Sequence, residues 1–393
     1  MRGKFKLLLL TLIFPALVLA SEECTTAIIS GMASSTGSPL LWKNRDTGHI
    51  YNKVVFVRET PYSYLALVNH DETSGRSAFA GINSAGFAII NSVAYNLPKK
   101  EGERTDLEGI IMADALRKCR TVDDFERYIR DNLGPGLGSL ANFGVVDAAG
   151  GAALFEVHNH GYRRYDAVDF PEKYIINTNF SRSGLPYRGY GYLRFERALY
   201  LLKGAKKISP LYILQFVDRD VGNPLLKVPP MEKWGLLPAD KPFWVYTNDS
   251  IDRSSTASAV VFQEAKKGKD PSLSTMWVIL GEPLTSVAVP LWVKAGRVPR
   301  LLWDGDIAPL DREAMRIKSL LRPLKGGNRK KYLDLTKLNN RNGTGWLDLL
   351  LKTEREIFRE TESFLSQEHS PRELFEFERK MAEKTYETLR RIH

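Results

Sequence analysis

A cysteine at position 24 stands just past Ala20, the expected cut of an export signal, and opens the run Cys24-Thr25-Thr26-Ala27-Ile28-Ile29. A cysteine that becomes the first residue of a chain carries a nucleophile and a base together. Its thiol attacks, and its own α-amine takes the thiol proton; such an amine titrates near roughly 7.7–8.0, close to neutral pH. A charged cluster follows at Lys43-Asn44-Arg45-Asp46, after the Thr36-Gly37-Ser38-Pro39 turn. A hairpin through that turn would return Asp46 to the side of Cys24. There a carboxylate can hold the amine, and Lys43 adds positive charge that favours a thiolate. The competing reading is a solvated, charged strand end.

The segment ahead of Cys24 fits a secretory signal: Arg2, Lys4 and Lys6 lead an apolar stretch from Leu7 to Leu19, and Val18 and Ala20 are the small residues before the cut. The stretch falls short of the roughly 20 apolar residues that span a bilayer. Contact with a membrane is therefore expected only through this transient signal, and the mature chain is expected outside the cytoplasm, secreted or periplasmic. Glu23 occupies the place where a lipoprotein signal carries a small residue, which argues against a lipid on Cys24. Cleavage after Ala20 leaves Ser21-Glu22-Glu23 as a pro-segment that must still be removed, either by Cys24 itself or by another protease.

The chain has 393 residues, is 43% hydrophobic and carries a formal net charge of +10. Its basic residues are scattered apart from short runs at 266–269 and 325–331, with no interleaved aromatic residues, so a nucleic-acid partner is not expected. There are two cysteines, Cys24 and Cys119. A Cys24–Cys119 disulfide is the bland alternative for an exported chain. Against it, Ile111, Ala115, Leu116 and Cys119 fall at helical spacing, which reads Cys119 as a small buried apolar residue.

Strand patterns dominate residues 24–100, at Cys24–Ile29, Leu40–Lys43, Val54–Val57, Tyr64–Val68 and Phe87–Ile90. A helical block follows over 106–119. A second helix opens at Thr121-Val122-Asp123-Asp124, whose threonine and aspartate suit a capping box. Strands resume at Asn142–Val146, Ala152–Val157 and Tyr174–Asn177, and Tyr192–Leu202 reads as helix. Further strands fall at Trp244–Thr247, Ser258–Phe262, Thr275–Leu280 and Ser286–Trp292. Lys325–Arg329 reads as a basic linker, and Gly345–Ser366 and Pro371–Ile392 as amphipathic helices, the latter capped by Ser370 and Glu373. The segregated order predicts stacked sheets flanked by helices, an α+β layering.

The order of these motifs resembles the cysteine N-terminal-nucleophile (Ntn) hydrolases, the group of choloylglycine hydrolases, penicillin V acylases and penicillin-type acyltransferases. The resemblance rests on Cys24 and the Asn44-Arg45-Asp46 turn, then Gly81-Ile82-Asn83-Ser84-Ala85-Gly86-Phe87. It continues through Asn142–Asp147 with Glu156, Tyr174–Asn179 and Arg194-Phe195-Glu196-Arg197, covering roughly residues 24–300. It implies an αββα four-layer sandwich and an acyl-amide substrate cleaved through a thioester on Cys24, with no cofactor and no metal. It implies roles too: Cys24 as nucleophile, Asp46 on its amine, Arg194 near the thiol and Asp46, and Asn179 donating its side-chain amide to the oxyanion. Asn91 is a further candidate at that site. Lys43 stands where choloylglycine hydrolases carry arginine, which points away from bile salts.

On this reading residues 1–20 are the signal, 21–23 the pro-segment, 24–320 the hydrolase domain and 321–393 a C-terminal helical extension without counterpart in the family. An acyltransferase passing the acyl group to an amine is one alternative. A non-enzymatic exported binding protein with the Cys24–Cys119 disulfide is the other, and a homo-oligomer stays open. Glu156, His158 and His160 alternate along one strand but lack a second ligand-bearing segment, so they read as a wet strand end rather than a metal site. Arg253-Ser254-Ser255-Thr256 lacks the small-residue frame of a nucleophile elbow. Asn179, Asn248 and Asn342 match glycosylation acceptors, and modification of Asn179 would conflict with catalysis.

Overall fold

The computed structural model describes residues 23–393; the stretch read as a signal peptide and the first two residues of the expected pro-segment lie outside them. In chain order the strands are β1 (Glu23–Ile29), β2 (Leu40–Asp46), β3 (Asn52–Val57), β4 (Tyr64–Asn69), β5 (Ala80–Asn83) and β6 (Ala88–Val93). They continue with β7 (Leu140–Val146), β8 (Ala152–His158), β9 (Gly161–Asp166), β10 (Tyr174–Asn177) and β11 (Trp244–Tyr246). The last are β12 (Thr256–Gln263), β13 (Thr275–Leu280), β14 (Val289–Trp292) and β15 (Tyr332–Asp334). The helices are α1 (Glu108–Lys118), α2 (Val122–Asn132), α3 (Tyr192–Lys203), α5 (Pro309–Leu321), α7 (Leu347–Phe364) and α8 (Pro371–Arg390), with α4 (Pro210–Tyr212) and α6 (Leu335–Leu338) as single turns.

Two antiparallel sheets form the centre. One runs β10-β1-β2-β12-β13-β14 and the other is the meander β3-β4-β5-β6-β7-β8-β9. Because side chains alternate along a strand, Cys24, Thr26 and Ile28 share one face of β1 with their cross-strand partners Arg45, Lys43 and Leu41 on β2. That face meets the meander. The sheets approach so closely at Gly144 that a Cβ there would lie 3.0 Å from Ile28 and Ile90 and 3.1 Å from Leu41. Buried Ile28, Leu41, Leu67 and Ile90 belong to the same apolar cluster, the core of the sandwich.

Helices complete four layers. On the outer face of the meander, Phe125 of α2 packs against Phe87, Phe143 and Phe155, and Met112, Leu116 and Cys119 join the same cluster. Thr121 and Asp124 close the expected capping box at α2, as do Ser370 and Glu373 at α8. The other outer layer holds α3, α5, α7 and α8. Phe358 of α7 stacks on Trp277 with ring centroids 3.8 Å apart, and Glu378 of α8 accepts the Trp292 N–H at 2.7 Å. The architecture is the α+β, αββα sandwich that the resemblance implied.

Several elements escaped the sequence pattern. The amphipathic helix α5 was not expected, nor was β9, whose polar run Gly161–Asp166 pairs at the edge of the meander. The stretch read as a linker leads straight into β15, which pairs with β11 some ninety residues earlier in the chain. The strand expected over 286–292 begins only at Val289, after a 3₁₀ turn at Pro283–Thr285. Pro283 opens that turn, and β14 itself carries Pro290, which an edge strand tolerates because only one side of it is paired. Among the described residues no helix is long and apolar enough to cross a membrane.

Candidate active site

Cys24 is the second residue of β1, buried with 3% of its surface exposed. In the described chain its nitrogen is still a peptide N–H joined to Glu23, and that N–H stands where an N-terminal amine would be after removal of the residues ahead of it. Strand β10 pairs with β1 only as far as Asn177 opposite Thr26. Two residues on, the side chain of Asn179 takes over the ladder: its Oδ1 accepts the Cys24 N–H at 2.9 Å.

The orientation of that amide is fixed by its neighbours. Oδ1 also accepts from Arg194 Nη2 at 2.8 Å, and Nδ2 donates to the Val93 carbonyl at 2.9 Å. Two obligatory donors on one side and an obligatory acceptor on the other admit one rotamer. Asn179 therefore holds the Cys24 nitrogen through its oxygen, whereas the sequence reading assigned only its amide hydrogens a task. It is fully buried, which rules out a sugar on this acceptor motif.

Arg194, on the first turn of α3, grips the cysteine from the other side. Its Nη1 donates to the Cys24 carbonyl at 2.6 Å and to Thr25 Oγ1 at 3.0 Å, and its Nη2 reaches the Glu23 carboxylate at 3.0 Å. The local backbone allows this approach because the residue before α3 is Gly191, at φ +82°, where a Cβ would lie 2.6 Å from Arg194 Nη2. Burial and the like charge of Arg253 both push the Arg194 guanidinium down from its ordinary value.

Asp46 lies opposite Glu23 in the β1–β2 register, so two carboxylates project from the same face of one cross-strand pair. Like charges so placed repel, and a cation must sit between them. The residue that does so is Arg253: Nε donates to Asp46 Oδ2 and Nη2 to Glu23 Oε2, each at 2.7 Å. Burial opposes the charge on Arg253, but Asp46 and Glu23 together hold it above its ordinary value. Thr256, at the head of β12 and in register with Asp46, donates its hydroxyl to Asp46 Oδ1 at 2.6 Å.

Arg194 was expected near Asp46 and acts on its carboxylate through charge, while the hydrogen bonds to Asp46 come from Arg253 and Thr256. Both lie in the Arg253–Thr256 run that sequence reasoning weighed only as a serine nucleophile site. The available signal was position: the run immediately precedes a long apolar strand, and a strand start is where a neighbour of β2 would present side chains to Asp46.

Lys43 shares the inner face with Cys24, one pair further along the hairpin. Its Nζ donates to the Phe79 carbonyl at 2.8 Å and to Asn91 Oδ1 at 2.6 Å, so Lys43 and Asn91 come together across the two sheets. Arg45, directly opposite Cys24 on that face, lies over the Phe79 ring at 3.8 Å and donates to Asn52 and Asn69 at 2.6 and 2.9 Å. The basic face behind the cysteine thus contains two cations, of which sequence reasoning singled out one.

The remaining candidates disperse. Neither Cys24 nor Cys119 is in a disulfide, and Cys119 belongs to the separate cluster under α1 and α2. Burial, with Asp124 and Asp114 nearby, pushes its thiol up to about 12. The Cys24–Cys119 disulfide alternative is thereby overturned. Glu156 accepts the backbone N–H of Ser183 at 2.7 Å and also that of Arg182, while His160 pairs with Glu103. Among the described residues no group of three or more histidine, cysteine, aspartate or glutamate side chains is placed to hold a metal ion.

No family model matches the chain, and no curated protein matches it. It is similar to a solved N-acylethanolamine-hydrolyzing acid amidase ortholog from Caenorhabditis elegans at 13% identity and a TM-score of 0.41, over 61% of this chain and 92% of that one. It is similar to a penicillin V acylase from Agrobacterium tumefaciens at 17% identity and TM-score 0.40, over 68% and 86% of the two chains. A mutant conjugated bile acid hydrolase from Clostridium perfringens follows at 9% identity and TM-score 0.37, over 68% and 92%.

Proposed function

We propose that this chain is an exported cysteine Ntn amidohydrolase that cleaves linear amides through a thioester on Cys24. The observation that carries the reading is the double grip on Cys24: Asn179 holds its nitrogen and Arg194 its carbonyl, while its side chain faces the seam between the sheets. Such a grip fixes a nucleophile and the base on its own backbone in one geometry, which is the entropic part of catalysis.

In this mechanism removal of the residues through Glu23 turns the Cys24 nitrogen into an amine. The amine takes the thiol proton, and the sulfur attacks the substrate carbonyl. The amine then returns the proton to the leaving nitrogen as the C–N bond breaks, and water hydrolyses the thioester with the amine again as base. Asp46 acts through Arg253 and Thr256 to hold the outer face of the hairpin, and Asn179 positions the amine. In this reading the oxyanion falls to the Asn179 side-chain amide, a contact of the kind worth roughly 2.7–4 kcal/mol.

Mass spectrometry of the processed protein tests the reading, followed by a panel of acyl amides with and without an added amine acceptor. A chain beginning at Cys24 that releases free acid supports the hydrolase; transfer of the acyl group to the added amine supports an acyltransferase. Full activity with Ser21 still at the terminus would sink both.

A further inference from the structure

The residue lost on maturation holds the position that identifies the acyl group. Glu23 lies on the acyl side of the bond to be cut before Cys24, and its Oε2 accepts from Arg194 Nη2 at 3.0 Å and Arg253 Nη2 at 2.7 Å. The two arginine side chains are 1% and 7% exposed, whereas the glutamate side chain is 21% exposed. The clamp is therefore walled by protein on the cationic side and reachable from solvent on the carboxylate side. Asp46 answers only one of the two guanidiniums directly, through Arg253.

When Glu23 leaves, two buried guanidiniums face one remaining carboxylate, and the new α-amine of Cys24 adds no negative charge. A buried cation without a partner carries a penalty of several kcal/mol. The push on Arg194 from burial and Arg253 makes it the group most in need of a new anion.

Resting on the hydrolase reading above, we propose that Arg194 and Arg253 form a carboxylate subsite of the mature enzyme, filled before maturation by Glu23 and afterwards by the substrate's acyl chain. Glu23 defines the length. From the carbonyl attacked at the cut to the side-chain carboxylate runs a five-carbon dicarboxylic skeleton, so the matching substrates are amides of glutaryl or α-glutamyl acyl groups.

The self-cleavage that empties the subsite balances without an outside reagent other than water. The Cys24 sulfur bonds to the Glu23 carbonyl carbon, the Glu23–Cys24 C–N bond breaks, and the nitrogen takes the thiol proton. Water then cleaves the thioester, restores the thiol and releases the peptide ending in Glu23.

The test uses glutaryl-4-nitroanilide against pentanoyl-4-nitroanilide, equal in chain length and differing in the carboxylate, on the chain beginning at Cys24. In parallel, thermal stability is measured with free glutarate for this chain and for the full-length Cys24→Ala precursor. The expected result is a kcat/KM about 10- to 100-fold higher for the glutaryl amide, with glutarate raising the Tm of the mature chain and not of the precursor, whose clamp is already filled. Equal turnover of both anilides overturns the subsite while the hydrolase reading stands. Neither anilide cleaved, with glutarate still selective for the mature chain, keeps the subsite and sinks the hydrolase reading. Neither effect sinks both. Glu23→Gln adds an independent readout: release of the pro-segment should slow about tenfold, while the mature enzyme, which lacks residue 23, keeps its rate; unchanged release would overturn the clamp.

Discussion

Arg253 donates through Nε to Asp46 at 2.7 Å across 207 residues of chain. The same guanidinium reaches Glu23, and so neutralises the paired carboxylates at the open end of the β1–β2 hairpin. Removing it leaves Asp46 without its ion-pair partner and Glu23 held by Arg194. Arg253→Ala should lower stability by about 3–5 kcal/mol, the range for stripping one partner from a buried pair, read as a drop in the urea midpoint. Arg253→Lys keeps the charge but not the fork, and should retain much of the stability while slowing processing. Equal effects of the two substitutions would refute a role for the fork geometry.

The two cysteines should part company. Cys24→Ala removes the proposed nucleophile and should abolish turnover and leave the precursor unprocessed; Cys24→Ser should fall severely in both. Cys119→Ser, in the apolar cluster under α1 and α2, should change stability by about 1 kcal/mol and leave the rate unaltered. Alkylation followed by peptide mapping gives a further check: the label should go to Cys24 in the mature chain, because burial pushes the Cys119 thiol up to about 12.

Gly191→Ala offers a subtle probe of Arg194. The new methyl meets a φ of +82° and a guanidinium at 2.6 Å, so the side chain of Arg194 must move. We expect about 1–2 kcal/mol of destabilisation from the backbone and a larger proportional loss of kcat than of stability. A variant that loses stability but keeps full kcat would show that the Arg194 contact to the Cys24 carbonyl is dispensable.

The C-terminal helices are part of the core. Arg219 donates to both oxygens of Glu354 at 2.9 and 3.0 Å, with both side chains fully buried, and the Ala288 N–H joins them at 3.0 Å. Glu354→Ala should therefore cost about 3–5 kcal/mol. Hydrogen exchange should find α7 and α8 protected to nearly the same extent as β13 and β14; rapid exchange across 347–390 would contradict the packing described.

Stability should rise as pH falls toward 5. Glu264 is buried with Ser274 as a hydroxyl donor, and burial pushes its carboxyl up to about 8; burial likewise pushes Asp311 up to about 8, against the donation from the Asn52 N–H. Both folded values lie above the roughly 4 of unfolded carboxylates. The fold thus holds these protons while the unfolded chain has lost them, and stability drains away as pH climbs from about 4 to 8. Each group should contribute on the order of 2–4 kcal/mol to that loss. Glu264→Gln and Asp311→Asn together should flatten the difference in urea midpoint between pH 5 and pH 8.5; an undiminished slope in the double variant would assign the effect elsewhere.

Local chemistry explains what was legible in the sequence. Thr121 and Asp124, or Ser370 and Glu373, announce their helices because a capping box closes within one turn. The β-branched start at Cys24 and the turn at 36–39 announce the first hairpin for the same reason. Arg253 and Thr256 gave no such signal, since their partner Asp46 lies in another part of the chain and only the β2–β12 pairing joins them. Lys43 was visible as a charge, but its partner Asn91 comes from the opposing sheet. The oxygen of Asn179, rather than its amide hydrogens, faces Cys24 because Val93 and Arg194 dictate the rotamer, and neither neighbour can be read from residues 174–179.

The order of strands in the first sheet also sets a clock. Strand β2 has β1 on one edge and β12 on the other, although β12 begins 210 residues after Asp46. Until the ribosome has delivered that strand, β2 presents an open edge, a template for wrong pairing. Arg253 and Thr256 arrive at the same moment as the strand that closes the edge. If the bond ahead of Cys24 is cut from within, as proposed above, the cut must wait until the most distant pairing of the sheet has formed, and maturation would then report completed folding.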